Sequence, residues 1–157
     1  RLPDCQVNYS DRCWGAQQHS LRSFDDPVLR RRDGVYSYNL VVVADDIADG
    51  VTEVVRGADL LDFTAVQIAL WAALGAKAPT WLHAPLVLGS DGRKLSKSHN
   101  STEIRSLRQA GWTPDDIWNL VLPWLGIDNA NSLADAIGLF NPAYFMQKPI
   151  LLEEKLK

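Results

Sequence analysis

Apolar runs separated by short polar or glycine-containing turns dominate the amino-terminal part of the chain, and their lengths predict strands. Residues 7–10 alternate between apolar and polar side chains, as in a strand with one exposed face. Residues 35–43 are rich in β-branched and aromatic side chains and include the continuous apolar run 40–43, which is typical of a strand buried on both faces. Further strands are predicted over residues 51–55 and 82–88.

A longer apolar segment, from about Ala65 to Leu74, has little polar surface and predicts a helix that packs deeply. Asp62 or Thr64 is suited to cap its start, and Gly75 is suited to end it. Strands on both sides of this helix predict a βαβ unit and therefore a parallel sheet in an α/β fold.

From Asn100 onward the pattern becomes helical. Asn100 and Glu103 resemble a capping box, and Gly111 is expected to end the helix that they begin. Residues 113–116, Thr-Pro-Asp-Asp, combine a cap, a first-turn proline and two acids at the positive end of a helix dipole. Residues 132–135 predict the start of another short helix. The carboxyl-terminal part is therefore predicted to be a small helical bundle.

The composition indicates a folded chain. Of the 157 residues, 46% are hydrophobic and 22% are charged, which excludes a disordered class. The net charge of −3 gives no general attraction to nucleic acid, so contacts with RNA require local basic patches. Arg30, Arg31 and Arg32 form such a patch, but an exposed strand end before the Asp33-Gly34 turn is the favoured interpretation.

The two cysteines, Cys5 and Cys13, lack the spacing of a metal motif, and only His19 is near them in the sequence. We interpret them as reduced thiols of a cytoplasmic protein and predict no zinc site in this chain. No apolar stretch approaches the ~18 residues of a membrane span, and the start at Arg1 has no signal region. Because the only methionine is Met146, we expect the sequence to be a fragment or a processed product.

The strongest chemical signal is the basic loop 92–98, with the sequence Gly-Arg-Lys-Leu-Ser-Lys-Ser. Its two lysines, Lys94 and Lys97, have Ser96 between them, so the loop is able to fold over a polyphosphate and neutralise its oxygens. A loop rich in Lys and Ser is more often a solvated turn. Here it follows a predicted buried strand and precedes a predicted capped helix, which favours the functional interpretation.

Residues 94–98, Lys-Leu-Ser-Lys-Ser, resemble the KMSKS signature of class I aminoacyl-tRNA synthetases, with Leu at the second position. Over residues 2–124 the chain is similar to glutamyl-tRNA synthetases. The turn 56–60, Arg-Gly-Ala-Asp-Leu, is most similar to the branch that attaches glutamate to the queuosine base of tRNA(Asp). Four further segments share the resemblance in order and spacing: 38–46, 51–60, 67–70 and 83–88.

This resemblance implies the second half of a Rossmann-like parallel sheet followed by a small helical bundle. Residues 1–33 would be the tail of an inserted acceptor-binding region, residues 34–99 the second half of the nucleotide-binding fold, and residues 100–157 a helical region that contacts the tRNA stem. The implied activity is that of a ligase that activates glutamate with ATP, used together with Mg, and transfers it to tRNA.

Within the resemblance, Tyr38 and Arg56 correspond to the positions that hold the glutamate substrate. The planar guanidinium of an arginine is suited to bind a carboxylate through two N–H groups, and a tyrosine hydroxyl adds a hydrogen bond. Without the resemblance, Tyr38 is equally well explained as a packed strand aromatic and Arg56 as an exposed turn residue. Asp45 and Asp46 are interpreted as residues that end a strand, and Asp59 is left open between that role and a contact with substrate.

Lys94 and Lys97 correspond to the lysines of the signature. They would stabilise the transition state in which the glutamate carboxylate attacks the α-phosphorus of ATP and pyrophosphate leaves. Ser96 in the same loop is also assigned to ATP binding. The adenine is expected to lie against the backbone of three residues in the preceding strand: Leu86, Val87 and Leu88.

A second signature of the family is missing from this sequence. Class I synthetases also contain a HIGH motif, whereas no His-x-Gly-His occurs here and His19, His83 and His99 stand alone. We therefore expect little or no amino-acid activation from this chain by itself. Residues 63–67 also depart from the Pro-Arg-Gln run that is usual in the family, which puts a contact with RNA or a neighbouring segment in doubt.

Three interpretations follow from these observations. The first is part of a ligase with glutamate, ATP and tRNA as partners, and an upstream HIGH motif would favour it. The second is a truncated paralogue that binds RNA or nucleotide, or serves assembly, without catalysis. The third, a plain α/β scaffold with a fortuitous basic loop, is disfavoured by the five ordered matches. Self-association is also expected, because an unpaired sheet edge attracts other strands.

Overall fold

In the computed structural model, the chain forms two compact units, Arg1–His83 and Ala84–Lys157. The first unit contains a sheet with two helices, and the second contains the start of the basic loop and the carboxyl-terminal helices. The domain bounds predicted after residues 33 and 99 remain a prediction. The structure describes the following residues: 1–89, 91–95, 103–130, 132–144 and 147–152.

Four strands and two helices organise the first unit. They are β1 (Gln6–Asp11), β2 (Gly15–Ser20), α1 (Tyr38–Ala48), β3 (Glu53–Gly57), α2 (Thr64–Ala73) and β4 (Thr80–Ala84). The sheet has the order β2-β1-β4-β3, with β1 antiparallel to β2 and parallel to β4 through Asp11 and Trp81. The strand predicted over residues 7–10 is therefore confirmed. The sheet is mixed and contains parallel pairing, between β1 and β4, while the two strands that flank α2, β3 and β4, are neighbours in it.

A carboxylate closes the turn between β1 and β2. Oδ1 of Asp11 accepts hydrogen bonds from the backbone N–H groups of Cys13 and Trp14, at 2.9 Å each. The backbone N–H of Arg12 donates to the carbonyl of Trp81 at 2.9 Å. The turn is thus attached to β4 as well as to its own hairpin.

Helix α2 confirms the prediction of a deeply packed helix. Its start differs from the prediction, because the N-cap position is Phe63 and neither Asp62 nor Thr64 caps it. Gly75 follows the helix with φ +73°, a left-handed conformation that glycine adopts without steric cost. The buried side of α2 contributes to a core cluster: Val7, Leu21 and Ala65.

The strand predicted over residues 35–43 is wrong, because most of this segment belongs to helix α1. Leu40, Val43 and Ile47 are spaced three and four residues apart, which places them on one side of a helix. Val43 is buried and packs with Leu70 of α2. A β-branched residue lowers the stability of a helix by only tenths of a kcal/mol, so this tertiary contact outweighs the preference of these side chains for a strand.

The two remaining predicted strands are present with changed bounds. The strand predicted over 51–55 is β3, shifted toward the carboxyl end. The strand predicted over 82–88 is divided at Pro85, which has no N–H to donate to a sheet. One part is β4, and the other is β5 (Val87–Leu88).

The second unit combines a small parallel sheet with helices. Its further elements are α3 (Ile104–Gln109), α4 (Pro114–Val121), α5 (Leu133–Leu139) and β6 (Ile150–Leu151). Strands β5 and β6 pair in parallel. A core cluster forms around the helices: Leu122, Ile127 and Ala136. The fold class predicted from the sequence is confirmed, since the chain is an α/β protein with parallel pairing followed by a helical region.

The helix starts of the second unit follow the sequence closely. Thr113 accepts through Oγ1 from the N–H of Asp116, whose carboxylate accepts from the N–H of Thr113 in return. Ser132 caps α5 through its side-chain oxygen. Glu103 is the N-cap of α3 and forms its capping box with Ser106, so the prediction that Glu103 is the third-position partner in a box begun by Asn100 is wrong; Asn100 itself lies outside the described residues. Local chemistry is therefore sufficient to set these helix starts.

Three smaller expectations also have outcomes in the structure. Cys5 and Cys13 are not joined in a disulfide, and burial raises the pKa of Cys13 to about 11. The Arg30 side chain lies over the ring of Tyr36 at 5.3 Å and bonds to the carbonyl of Gly34, so this basic segment surrounds the predicted turn. Within the described part of the chain, no helix has the length and apolar character needed to cross a membrane.

Candidate active site

The guanidinium of Arg56, on β3, is half-buried and is hydrogen-bonded by groups from several elements. Nε donates to Nε2 of His83 at 2.9 Å, and Nη1 donates to Oε1 of Gln67 at 2.6 Å. Nη2 donates to the hydroxyl of Thr64 at 2.8 Å and to the carbonyl of Leu60 at 3.3 Å. Four of its five N–H groups therefore have acceptors among the described residues, and the fifth, on Nη1, does not.

Arg56 is also a cation with no ion-pair partner in the ranges of the chain that the structure describes. Burial lowers its pKa, and the negative charges of Asp46 and Asp11 act in the opposite direction from a distance. An arginine pKa lies so far above neutrality that the side chain stays protonated. A half-buried cation with one spare N–H has the properties of a site for an anionic group.

His83, on β4, links Arg56 to the buried carboxylate of Asp11. Nδ1 of His83 lies 2.6 Å from Oδ2 of Asp11, and both side chains are fully buried. Because Nε2 accepts the proton of Arg56, the imidazole proton belongs on Nδ1 and the ring is neutral. Burial lowers the pKa of His83, the hydrogen bond to Asp11 raises it, and the charge of Arg56 lowers it further. His83 belongs to no HIGH-like motif in the sequence, but in the fold it has polar partners on two sides.

The hairpin turn between β1 and β2 fixes the backbone of His83. Nε1 of Trp14 donates to the carbonyl of His83 at 2.8 Å. The N–H of His83 points toward Oδ1 of Asp11 at 3.4 Å, the same oxygen that closes the turn. The position of the imidazole is therefore set from β1 and from the turn as well as from its own strand.

Tyr38 begins α1 and lies within electrostatic range of Arg56, since it influences the pKa of the guanidinium. Its side chain is 58% exposed, so the alternative of a packed strand aromatic is wrong. The alternative of an exposed turn for Arg56 is wrong as well. Asp45 and Asp46 lie inside α1 and do not end a strand. Burial raises the pKa of Asp46, and the charge of Arg56 acts in the opposite direction.

Sequence reasoning missed the residues that hold Arg56. The sequence favours a capping role for Thr64, places Gln67 in a matching segment and assigns no role to Asp11, so none of the three is predicted to lie near Arg56. The available signal was a polar residue within an apolar segment, as for Gln67 in α2 and His83 in β4. Buried polar side chains are nearly always hydrogen-bonded, so such residues indicate a polar partner elsewhere in the fold.

The segment before the basic loop is a tight hairpin that extends from β5. The N–H of Leu95 donates to the carbonyl of Val87 at 3.1 Å, and the N–H of Gly89 donates to the carbonyl of Arg93 at 2.8 Å. Lys94 lies on the returning arm between these two bonds, and its side chain is exposed. The hairpin therefore fixes the backbone from which the first signature lysine projects.

The other predicted ATP residues divide into two groups. Ser96 and Lys97 lie outside the described residues. Leu86, Val87 and Leu88 are half-buried, and the carbonyl of each accepts a backbone hydrogen bond. The donors are Ile150 at 2.8 Å, Leu95 at 3.1 Å and Leu152 at 2.8 Å, in that order. Much of the backbone hydrogen-bonding capacity of this strand is thus used within the second unit.

Comparison with known proteins assigns the chain to a family. Residues 4–142 match the family model described as tRNA synthetases class I (E and Q), catalytic domain. The chain belongs to this family of class I tRNA synthetases. It is 43% identical over 155 residues to the glutamyl-Q tRNA(Asp) synthetase of Nitratidesulfovibrio vulgaris, an alignment that covers 96% of this chain and 48% of the relative. It is 53% identical over 103 residues to the protein of that name from Xanthomonas campestris pv. campestris, covering 65% and 35%.

Solved structures show the same relationship. The glutamate tRNA ligase from Elizabethkingia meningosepticum, solved in complex with its amino acid, superimposes with a TM-score of 0.81 at 26% identity. The glutamate-tRNA synthetase from Elizabethkingia anophelis gives a TM-score of 0.82, also at 26% identity. Both alignments cover 99% of this chain and 36% of the larger protein. The chain thus spans about half or less of the length of the relatives that it matches.

Proposed function

We propose that the protein containing this chain is a glutamyl-tRNA-synthetase-like ligase, which activates glutamate with ATP and transfers it to tRNA. The observation that supports this most directly is Arg56, a half-buried cation with a spare N–H and no ion-pair partner in the described part of the chain. The relatives give independent support, because one structural neighbour was solved with its amino acid and the curated relatives are glutamyl-Q tRNA(Asp) synthetases.

The glutamate carboxylate is proposed to bind at Arg56 and Tyr38. The family resemblance implies that two N–H groups of Arg56 hold it, whereas protein groups occupy four of the five. We therefore propose one direct hydrogen bond from Nη1 together with charge attraction, which is stronger in a half-buried setting than in water. Tyr38 is exposed and influences the pKa of this cation, and we propose that its hydroxyl adds a second hydrogen bond to the substrate.

The proposed activation step forms a bond between a glutamate carboxylate oxygen and the α-phosphorus of ATP. The bond from that phosphorus to the bridging oxygen breaks, and pyrophosphate leaves with the Mg ion that accompanies ATP as substrate. Lys94 and Lys97 would neutralise the charge that develops on the phosphate oxygens, with Ser96 as a further donor. A nucleophilic group of the tRNA then attacks the acyl carbon, and AMP leaves.

The queuosine base of tRNA(Asp) is the proposed acceptor, because the two compared curated relatives carry that substrate in their name. A second candidate function is binding without catalysis, as an RNA- or nucleotide-binding or assembly module. The observation that favours it is the lack of a HIGH motif in this sequence. The two candidates differ in a measurable way, since only the ligase forms glutamyl-adenylate.

Glutamate-dependent exchange between pyrophosphate and ATP tests the ligase. The complete gene product is expected to exchange with glutamate and not with glutamine, and this chain alone is expected to show little exchange. No exchange by the complete product, together with retained tRNA binding, would support the binding module. Exchange by the chain alone at the rate of the complete product would contradict the expectation that this chain by itself has little or no activity.

The acceptor is tested by glutamylation of matched RNAs. Queuosine-containing tRNA(Asp) is expected to accept glutamate, whereas the same tRNA without queuosine and tRNA(Glu) are expected to remain uncharged. Charging of tRNA(Glu) alone would reject the queuosine assignment while leaving glutamate activation intact.

A further inference from the structure

We propose that His83 is a positioning residue that orients Arg56 for the substrate carboxylate, acting as a neutral imidazole held in one tautomer by Asp11. This inference rests on the proposed function, because it assigns His83 a role in glutamate binding through Arg56. His83 is the first residue of the matching segment 83–88, but the sequence assigns no role to its side chain.

The hydrogen-bond directions leave one tautomer. The Nε–H of Arg56 can only donate, so Nε2 of His83, 2.9 Å away, must offer its lone pair. The ring proton then belongs on Nδ1, where the carboxylate of Asp11 accepts it at 2.6 Å. Thr64 also lies 3.2 Å from Nε2, but its hydroxyl has an alternative acceptor in the carbonyl of Leu60 at 3.2 Å.

The bond to His83 determines the plane of the guanidinium. Gln67 and Thr64, both on α2, bond to the two terminal nitrogens of Arg56, while the bond to Nε comes from β4. A planar fork that is fixed at three corners keeps its remaining N–H in one direction. Without the acceptor at Nε, the guanidinium retains its contacts with α2 but gains freedom to rotate about them. The remaining N–H on Nη1 is then no longer held toward the substrate carboxylate.

Protonation of His83 would oppose this arrangement. An Nε2–H would face the Nε–H of Arg56 across 2.9 Å, so that two donors and two positive charges would meet. The groups that face the ring are Asp11 from β1, Arg56 from β3, Asp59 after β3, and the hydroxyl of Thr64 from α2. Asp11 and Asp59 favour the protonated form of His83, whereas burial and the charge of Arg56 favour the neutral form. The hydrogen bond that Nε2 accepts from Arg56 requires the neutral form.

Two substitutions of His83 test the hydrogen bond at Nε2 and the hydrogen bond at Nδ1 separately. His83→Gln keeps an oxygen near the Nε2 position as an acceptor for Arg56, and His83→Asn keeps a donor near the Nδ1 position for Asp11. In the complete gene product, we expect the Asn variant to raise the KM for glutamate at least tenfold and the Gln variant to raise it less than threefold. The KM for ATP is expected to change less than twofold in both, a pattern that a merely structural role would not produce.

Folded Gln and Asn variants with equal KM values for glutamate would overturn the proposal. If the Asn variant does not fold, the wild-type protein decides the matter: its KM for glutamate is expected to rise as His83 becomes protonated in acid, and to rise less in the Gln variant. Identical pH profiles for the wild type and the Gln variant would also overturn it.

A nitrogen NMR measurement distinguishes failure of this proposal from failure of the proposed function. In wild-type protein, the Nε2 signal of His83 is expected to be that of an unprotonated, hydrogen-bonded nitrogen, and the Arg56 Nε–H is expected to exchange slowly with solvent. A proton on Nε2 at neutral pH would reject the positioning role whatever the activity. Absence of glutamate activation in a protein that shows the expected signals would instead reject the proposed function.

Discussion

Nη1 of Arg56 donates a hydrogen bond to the side-chain oxygen of Gln67 over 2.6 Å. Gln67 in turn donates through Nε2 to Oδ1 of Asn39 at 3.0 Å. Because Gln67 is only 3% exposed, both bonds are shielded from water and are stronger for it. The guanidinium on β3 is thereby connected to α2 and α1, so the geometry of the candidate site depends on the packing of both helices.

Replacement of Gln67 by Glu is expected to weaken glutamate binding while the fold is retained. The new carboxylate would pair with Arg56 and neutralise the charge that the proposed substrate requires. We expect the KM for glutamate to rise about tenfold or more, equivalent to ~1.4 kcal/mol. Steady-state exchange assays at varied glutamate and ATP measure this. Gln67→Met is the control without added charge, and a Glu variant with an unchanged KM would contradict the assignment of Arg56.

Replacement of Lys94 by Ala is expected to slow adenylate formation. Loss of one group that stabilises a developing oxyanion typically lowers kcat by about 10²–10³. Substrate KM values should change much less, because the interaction is made mainly in the transition state. Single-turnover formation of glutamyl-adenylate measures the effect. Arg93→Ala removes the neighbouring exposed cation, and an equal loss in that variant would show that general charge, rather than Lys94, is responsible.

Acid is expected to destabilise the first unit through His83. Burial lowers the folded-state pKa of His83 below the ordinary 6.5. The associated stability is therefore fully present above about pH 6.5 and is lost as the pH falls through the folded-state pKa, since the unfolded chain takes up the proton first. Denaturant unfolding in a pH series tests this prediction. The His83→Gln variant should show a smaller slope in the same range, and equal slopes would argue against it.

Gly126 is expected to resist substitution. Its φ is +71°, and an added Cβ would lie 2.7 Å from Cβ of Tyr144. Gly126→Ala should therefore destabilise the second unit by roughly 1–3 kcal/mol, through backbone strain and steric overlap. The matched control is Gly138→Ala, because Gly138 lies in α5 with open space around it and should gain about 0.5–1 kcal/mol. Thermal unfolding of the two variants should give shifts of opposite sign.

Self-association is expected at the edge of the sheet in the first unit. Strand β3 is the last strand in the described sheet, and Val55 on it is 65% exposed. Unpaired strand edges with apolar side chains favour pairing between molecules. Light scattering should show a mass that rises with concentration, and Val55→Lys should suppress the rise. Val28→Lys is the control, since Val28 is equally exposed outside the strands, and a monomer at all concentrations would refute the expectation.

Segments whose local chemistry agrees with their tertiary setting were predictable from the sequence. Helix α2 is apolar on nearly every side, and Thr113 and Asp116 determine the start of α4 without help from distant residues. Helix α1 was not predictable in this way. Its β-branched run 40–43 favours a strand locally, and the helix depends on contacts of Val43 with residues of α2 that are distant in the sequence.

The residues of the candidate site also differ in how far the sequence predicts them. Tyr38 and Arg56 were named through resemblance to a family, and the structure brings them into electrostatic range of each other. The residues that orient Arg56 were not named, because Asp11 and His83 are separated by 72 positions in the chain. Hydrophobic periodicity carries no information about such a pair, and only the polarity of His83 within an apolar strand indicated it.

Strand β6 lies beyond residue 142, where the match to the family model ends. Ile150 of β6 and Leu152 directly after it donate their N–H groups to the carbonyls of Leu86 and Leu88, in the segment from which the Lys94 hairpin extends. A protein shortened to the family boundary would leave these two carbonyls to water and deprive the hairpin of its neighbouring strand. The smallest piece of this chain that holds Lys94 in place is therefore set by hydrogen bonding and extends beyond the segment that matches the family model.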